Sequence, residues 1–373
     1  MRIIVIGSVA AGTSVAAKAR RNTEDAEIVV YERDRDISYS GCGLPYYLGG
    51  EVPDMAALTP RDPQWFAKRF RVAIHTGHEV ESVDPVARTV TVRNLDSGEE
   101  FSDTYDELVL ATGVTSLRPA LPGVDLPGVF TLRNPSDARQ IDTFADSYRP
   151  ERAVVVGAGY IGLEVAEQLV GRGIAVTVVE AQPHAMSRMD PDMSARVDEE
   201  LRSHGVTLLT NSKVSEILGT NEVSGVVVDG VTVPADLVVL ALGVRPNVDL
   251  AERIGIALGP TGAIAVDDRM RTSVAGVSAV GDVAESFSAI TGEAMWVPLG
   301  STANKMGRIA GHTLTGGDLS HRGILGTSIV RVFDLAVGGT GLTETAARAA
   351  GYDVEVLHNI KPDHSEYLGG KQL

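Results

Sequence analysis

Cys42 is the only cysteine in the 373 residues, and it stands in Ser38-Tyr39-Ser40-Gly41-Cys42-Gly43-Leu44-Pro45-Tyr46-Tyr47. A single thiol forms no internal disulfide and completes no Cys-Cys zinc set, which leaves a buried inert thiol or a reactive one. Flanking glycines, a following proline and neighbouring hydroxyls are turn chemistry rather than the middle of a core strand. Two glycine-rich turns offer a second kind of chemistry. Gly7-Ser8-Val9-Ala10-Ala11-Gly12 follows the apolar run 2–6 and precedes a helical stretch over 13–21; the next apolar run, 28–31, ends in Glu32. Gly157-Ala158-Gly159-Tyr160-Ile161-Gly162 follows the run 153–156, with a helix through Leu169, a strand over 175–179 and then Glu180. Such glycines let the backbone approach a pyrophosphate at a helix N-terminus, and the later acid accepts from a ribose hydroxyl. Val9 replaces the middle glycine of the first turn, and the second is complete. Two units in the same register form an internal repeat, so the chain is expected to bind two dinucleotides.

The elements that must position these residues are legible as apolar runs ending in glycine: 107–113, 236–243 and 277–281. Each reads as a buried strand with its turn at the ligand end of an open α/β sheet. Asp282, after the last of them, either accepts from a sugar or ribityl hydroxyl or simply forms the turn. Alternating patterns over 79–105 and 213–233 predict two antiparallel meanders. Proline and glycine mark interdomain crossings near 114–128 and 244–247, a helix is expected over 299–314, and new strands follow His321. Ser14, Lys18 and Arg21 share one face of the first helix. This face is either a solvated basic surface or a grip for an anion.

Composition narrows the classes. Hydrophobic residues make up 44% and charged residues 22%, enough for a sizeable core, while a net charge of -16 argues against nucleic acid and anionic membrane as partners. No run of 18 apolar residues predicts a membrane span. The apolar start 2–6 is too short for a signal peptide. With one cysteine and no export signal, a cytoplasmic location is expected. The eight histidines include no HxxxH pair, so no metal site is expected.

Together these motifs resemble the two-dinucleotide flavoprotein disulfide reductases. The resemblance also rests on Ala111-Thr112-Gly113, Gly281-Asp282 and Trp296-Val297-Pro298-Leu299-Gly300. Within that group, Tyr47 stands where a CxxxxC redox pair would have its second cysteine. The loop resembles the single-cysteine branch of coenzyme A-disulfide reductases, polysulfide or persulfide reductases, NADH oxidases and NADH peroxidases. The implied fold is α/β, with two Rossmann-like dinucleotide-binding domains, small antiparallel meanders and part of an α+β C-terminal interface domain. Implied boundaries are 1–113 with 244–320 for FAD, 114–243 for NAD(P)H, and 321–373 for a shortened dimerisation domain. A homodimer is implied provided that this part suffices.

The resemblance also implies roles. FAD would be held by Gly7, Ala10, Ala11, Gly12, Glu32 and Arg33, together with Thr112, Gly113, Asp282, Leu299 and Ala303. NADH would lie on Gly157, Gly159, Tyr160, Ile161 and Gly162, with Glu164, Glu180 and Gly243 beside it. Tyr160 resembles the residue that covers the flavin until nicotinamide displaces it. Glu180 would favour NADH by repelling the 2′-phosphate of NADPH, with NADPH still possible. Cys42 would be the redox centre, its pKa lowered by flavin contact and a helix N-terminus. Ser14, Lys18, Arg21 and Ser38 match coenzyme A contacts, although Gly41 stands where some members carry Asn. Tyr367, within 364–370, resembles a tyrosine given to the partner subunit as proton donor. The peroxidase and oxidase branch carries a histidine in the first turn, where this chain has Ala10. The expected activity is therefore hydride transfer from NADH through FAD to Cys42, and on to coenzyme A disulfide or a related disulfide or persulfide. The alternatives are an NADH oxidase and a low-turnover NADH or redox sensor.

Overall fold

A computed structural model describes residues 1–361 and Tyr367. Five strands form a parallel sheet in the order Val277–Ala279, Glu107–Leu110, Arg2–Ile6, Glu27–Glu32, Ala73–Thr76. Ile3, Ile4 and Val5 in its central strand are fully buried, as expected of a β-branched run covered on both faces. A second parallel sheet repeats the plan in the order Thr207–Leu209, Ala175–Val179, Arg152–Val156, Leu237–Leu240, Val129–Phe130. In both units the central strand runs through a glycine turn into a helix, Ala10–Asn22 in the first and Tyr160–Gly171 in the second. The chain is an α/β protein with two Rossmann-like sheets.

The first helix begins at Ala10, three residues before the expected start, because the strong helix formers Ala10 and Ala11 continue straight out of the turn. It packs against the helix Gly300–Thr313. A Cβ on Gly307 would lie 2.4 Å from the Ala11 carbonyl oxygen, and one on Gly311 2.5 Å from that of Val15. The two helices therefore meet backbone to backbone, which only glycine at this four-residue spacing permits. Ala303 on the same helix packs against the Gly281 turn.

The meanders form from His78–Asp84, Thr89–Asn94 and Glu100–Thr104, and from Val214–Gly219, Val223–Val228 and Val231–Pro234. The two expected crossings pair with each other as the antiparallel ribbon Val114–Ser116 with Val244–Pro246. Beyond them come a hairpin, Ser328–Val332 with Leu335–Gly339, and the helix Glu344–Ala349. Val330 and Val332 of the hairpin share a buried apolar cluster with Leu163 and Leu169 of the second unit's helix. Buried Glu167 fastens this contact by accepting from Arg331 Nε and the Phe333 amide, both at 2.7 Å. Among the described residues no helix is long and apolar enough to cross a membrane.

Candidate active site

The two glycine turns have matching geometry. Gly7 and Gly157 both adopt φ +104°, a conformation that favours glycine. A Cβ at either would press into the neighbouring strand, 2.3 Å from the Ala111 oxygen or 2.4 Å from that of Ala241. A Cβ on Gly12 would stand 1.9 Å from the Gly7 oxygen, and one on Gly162 2.0 Å from that of Gly157. Neither helix has a side-chain cap, whereas Asn134 and Asp137 form a full capping box on the helix Pro135–Tyr148. Uncapped first-turn amides with small residues before them fit a phosphate. Gly159 has nothing within 4 Å of a would-be Cβ, and Ile161 beside it is exposed.

Both acids brace their turns. Glu32 accepts from Ser8 N at 2.8 Å, Ser8 Oγ at 2.9 Å and Asp34 N at 3.0 Å. Burial pushes its carboxyl up, against the pull of those hydrogen bonds. Glu180 accepts from Ala158 N and Gln182 N, both at 2.8 Å. A carboxylate so held keeps lone pairs for a ribose hydroxyl. Thr112 and Gly113 are clamped by Asn247, whose amide donates to the Gly113 oxygen at 3.0 Å and whose Nδ2 donates to that of Thr112 at 2.8 Å. Gly243 with φ +100° closes the matching turn of the second sheet. Leu299 is the uncapped N-cap of the Gly300–Thr313 helix, and Arg33 is exposed. This donor set and the close backbone approach fit a dinucleotide pyrophosphate at each turn.

Cys42 lies in the short 3-10 turn Gly41–Gly43, with its thiol open to solvent. The loop is tied to both units. The Ser38 amide donates to the Ser8 oxygen of the first glycine turn at 3.0 Å, with Ser38 itself at φ +49°. Leu44 and Leu48 on the other side are buried in the second unit's core. Protein around the thiol pushes its pKa up, and the charges of Glu164 and Asp282 push the same way. The expected lowering of the thiol therefore does not come from the side chains around it, because the two charged groups that act on it are acids.

Three long-range contacts among the candidate site residues are not legible in the sequence. Arg133 reaches into the first unit from the start of the Pro135–Tyr148 helix. Its Nη1 donates to Tyr39 Oη at 3.1 Å, its Nη2 lies 4.0 Å from Asp282 Oδ2, and its buried Nε has no partner. Burial pushes Asp282 up and Arg133 pulls it back. Arg133→Met should weaken FAD retention by about tenfold, the equivalent of one charged hydrogen bond, measured as flavin released on dilution. Tyr46 donates to Glu164 Oε1 at 3.0 Å, and Tyr160 Oη shares a 2.6 Å hydrogen bond with Ser328 Oγ. Each of these pairs joins residues more than 90 positions apart, beyond any local pattern.

The anion face is partly rearranged. Ser14 Oγ donates to Asn304 Oδ1 at 2.7 Å, and Lys18 lies against Gly311. The Arg21 guanidinium sits 5.3 Å from the Phe70 ring centroid, with that of Arg69 at 5.8 Å from the same ring. Arg69 thus joins Arg21 from a helix that the sequence reading had not included. Tyr367 is 86% exposed; the rest of 364–370 lies outside the described residues. Glu200, His204 and Asp334 bring possible metal ligands within 4.8 Å of one another, which histidine spacing alone had not anticipated. They also serve packing, since His204 stacks on Phe333 and Glu200 accepts from the Asp334 amide at 2.8 Å.

Residues 1–307 match the family model described as pyridine nucleotide-disulphide oxidoreductase. The chain is similar to the NAD(P)H sulfur oxidoreductase (CoA-dependent) of Pyrococcus furiosus, 39% identical over all of this chain and 83% of that protein. Its structure is similar to that of reduced Bacillus anthracis CoADR-RHD, with TM-score 0.95 and 36% identity over 98% of this chain and 66% of that one. The chain thus spans just under two thirds of the length of that relative. It is also similar to the water-forming NADH oxidase of Lactobacillus brevis bound to NADH, with TM-score 0.93 and 30% identity over all of this chain and 82% of that one.

Proposed function

Since the chain belongs to the pyridine nucleotide-disulphide oxidoreductase family, we propose that it uses NADH and FAD to reduce coenzyme A disulfide or a related disulfide or persulfide at Cys42. The observation that carries this reading is an open thiol on a loop fastened to both dinucleotide units. FAD at the first turn supplies the two-electron link between NADH and the thiol. The chain's own residues do the rest. Glu32 and Glu180 hold the two turns in shape, Tyr160 stands at the nicotinamide side and Arg133 braces Asp282. The Cys42 thiolate attacks one sulfur of the acceptor, whose S–S bond breaks as the mixed disulfide forms, and the departing thiolate takes up a proton to leave as the first thiol. Two electrons and a proton then free the second thiol and return Cys42. The sum is NADH, H⁺ and one disulfide giving NAD⁺ and two thiols.

Arg21 and Arg69 support an anionic thiol carrier, since two guanidinium groups by one ring can meet phosphates. Assembly as a homodimer through 321–373, with Tyr367 reaching the partner's site, belongs to the same proposal. The deciding experiment is NADH oxidation by the purified FAD-loaded chain with coenzyme A disulfide, polysulfide or a coenzyme A persulfide. No oxidation above background with any of these overturns the reading. Similarity to an NADH oxidase supports a second reading, opposed by Ala10. Rapid oxygen consumption with NADH alone, lost in Cys42→Ser, would establish it.

The braced Glu180 carboxylate sets the coenzyme preference. kcat/KM for NADH should exceed that for NADPH by at least about tenfold, roughly 1.4 kcal/mol, and Glu180→Ala should narrow the gap. Steady-state kinetics with both coenzymes checks this; a higher value for NADPH in the unaltered protein rejects it.

A further inference from the structure

We propose that Glu164 and Tyr46, joined by their 3.0 Å hydrogen bond and covered by Arg331, act as one proton-holding pair that governs when Cys42 is a thiolate. The inference rests on Cys42 being the redox thiol and goes further, to what controls its ionisation.

Three elements build the pair. Tyr46 lies in the helix Leu44–Leu48 that directly follows the Cys42 turn. Glu164 lies on the helix Tyr160–Gly171, one turn after Tyr160 and so on the same face. Arg331 comes from the C-terminal hairpin, its guanidinium 4.8 Å from the Tyr46 ring centroid and paired with Glu167 at 2.6 Å and with Glu51. The groups acting on Glu164 are therefore Tyr46, Glu167 of its own helix and Arg331. Those acting on Cys42 are Glu164 and Asp282.

These groups give the pair its direction. Partial burial pushes the Glu164 carboxyl up to about 7, while the Tyr46 hydroxyl and Arg331 restrain the rise and Glu167 adds to it. Tyr46 is itself pushed up, first by burial and then by the Glu164 charge, so it stays a donor at neutral pH. Below the Glu164 midpoint its carboxyl is neutral and Cys42 faces one acid. Above that midpoint Cys42 faces two, and its ionisation is held back. The pair thus spreads the thiol's ionisation over a wider pH range than an isolated thiol shows. It also keeps a proton near a leaving thiolate at neutral pH. Arg331 makes the hairpin a positioning element for this pair, through the same network that docks the hairpin on the second unit.

The test is the rate of Cys42 alkylation by iodoacetamide against pH, followed by mass spectrometry on the FAD-loaded chain after thiol reduction and desalting. The unaltered protein should show a shallow profile with a break near pH 7. Glu164→Gln should remove the break, steepen the curve to that of a single group and speed alkylation above the break, approaching about tenfold for each pKa unit by which the Glu164 charge raises the thiol. Tyr46→Phe and Arg331→Met should each move the break upward, since each removes a group that favours the ionised carboxylate. Matching profiles for the unaltered protein and Glu164→Gln overturn the proposal, as does a break unmoved in both Tyr46→Phe and Arg331→Met. The readout does not depend on the acceptor. An inert acceptor assay with these profiles as expected overturns the proposed substrate and leaves the pair standing.

Discussion

Cys42→Ser should lower NADH oxidation with a disulfide or persulfide acceptor by at least about a thousandfold, the scale set by loss of a nucleophile. The reason is chemical rather than structural. The side chain is open to solvent in a three-residue turn, and Ser38, Leu44 and Leu48 hold the loop from either side. Serine therefore fits without repacking, and thermal stability should stay within about 0.5 kcal/mol, as for a surface substitution. A hydroxyl at this position ionises too weakly to attack a sulfur. NADH should still reduce the bound flavin in the variant within about twofold of the normal rate, because the second glycine turn is untouched. Stopped-flow flavin absorbance and the steady-state assay together check both halves. Retained acceptor turnover in Cys42→Ser would remove Cys42 from the chemistry.

Gly7→Ala should be the most damaging single methyl in the first unit. At φ +104° an alanine carries a conformational cost of about 1–3 kcal/mol. Its Cβ would also stand 2.3 Å from the Ala111 backbone oxygen, just past the Glu107–Leu110 strand, and a backbone atom there cannot turn aside as a flexible side chain would. The sum should reach about 3 kcal/mol or more, with loss of bound FAD, read from thermal unfolding and the ratio of flavin to protein absorbance. Gly159→Ala is the matched comparison. Its φ of -85° is ordinary and its Cβ would meet open space, so stability should hold within about 1 kcal/mol. The effect there should fall on the KM for NADH instead.

The sequence by itself determined the two sheets, their glycine turns, the closing acids Glu32 and Glu180, and the presence of a lone thiol in a turn. All of these are local. Runs of β-branched residues, helical spacing and glycine at a forced φ report how a short stretch is buried and bent, and the repeat shows them twice. The sequence did not show where Cys42 lies relative to both units. That depends on Ser38 meeting Ser8, and on Leu44 and Leu48 choosing the second unit's core over the first. Nor did it show that Arg133 would cross to Tyr39 and Asp282, or that Ser328 and Arg331 would reach Tyr160 and Tyr46. Periodicity tells which face of an element is covered and says nothing of what covers it. The Gly307 and Gly311 contact makes the same point, since small residues on a helix identify a close neighbour only once the neighbour is in place. The tertiary structure therefore decided the charge around the thiol, because the two acids that act on it, Glu164 and Asp282, come from segments far from Cys42 in the chain.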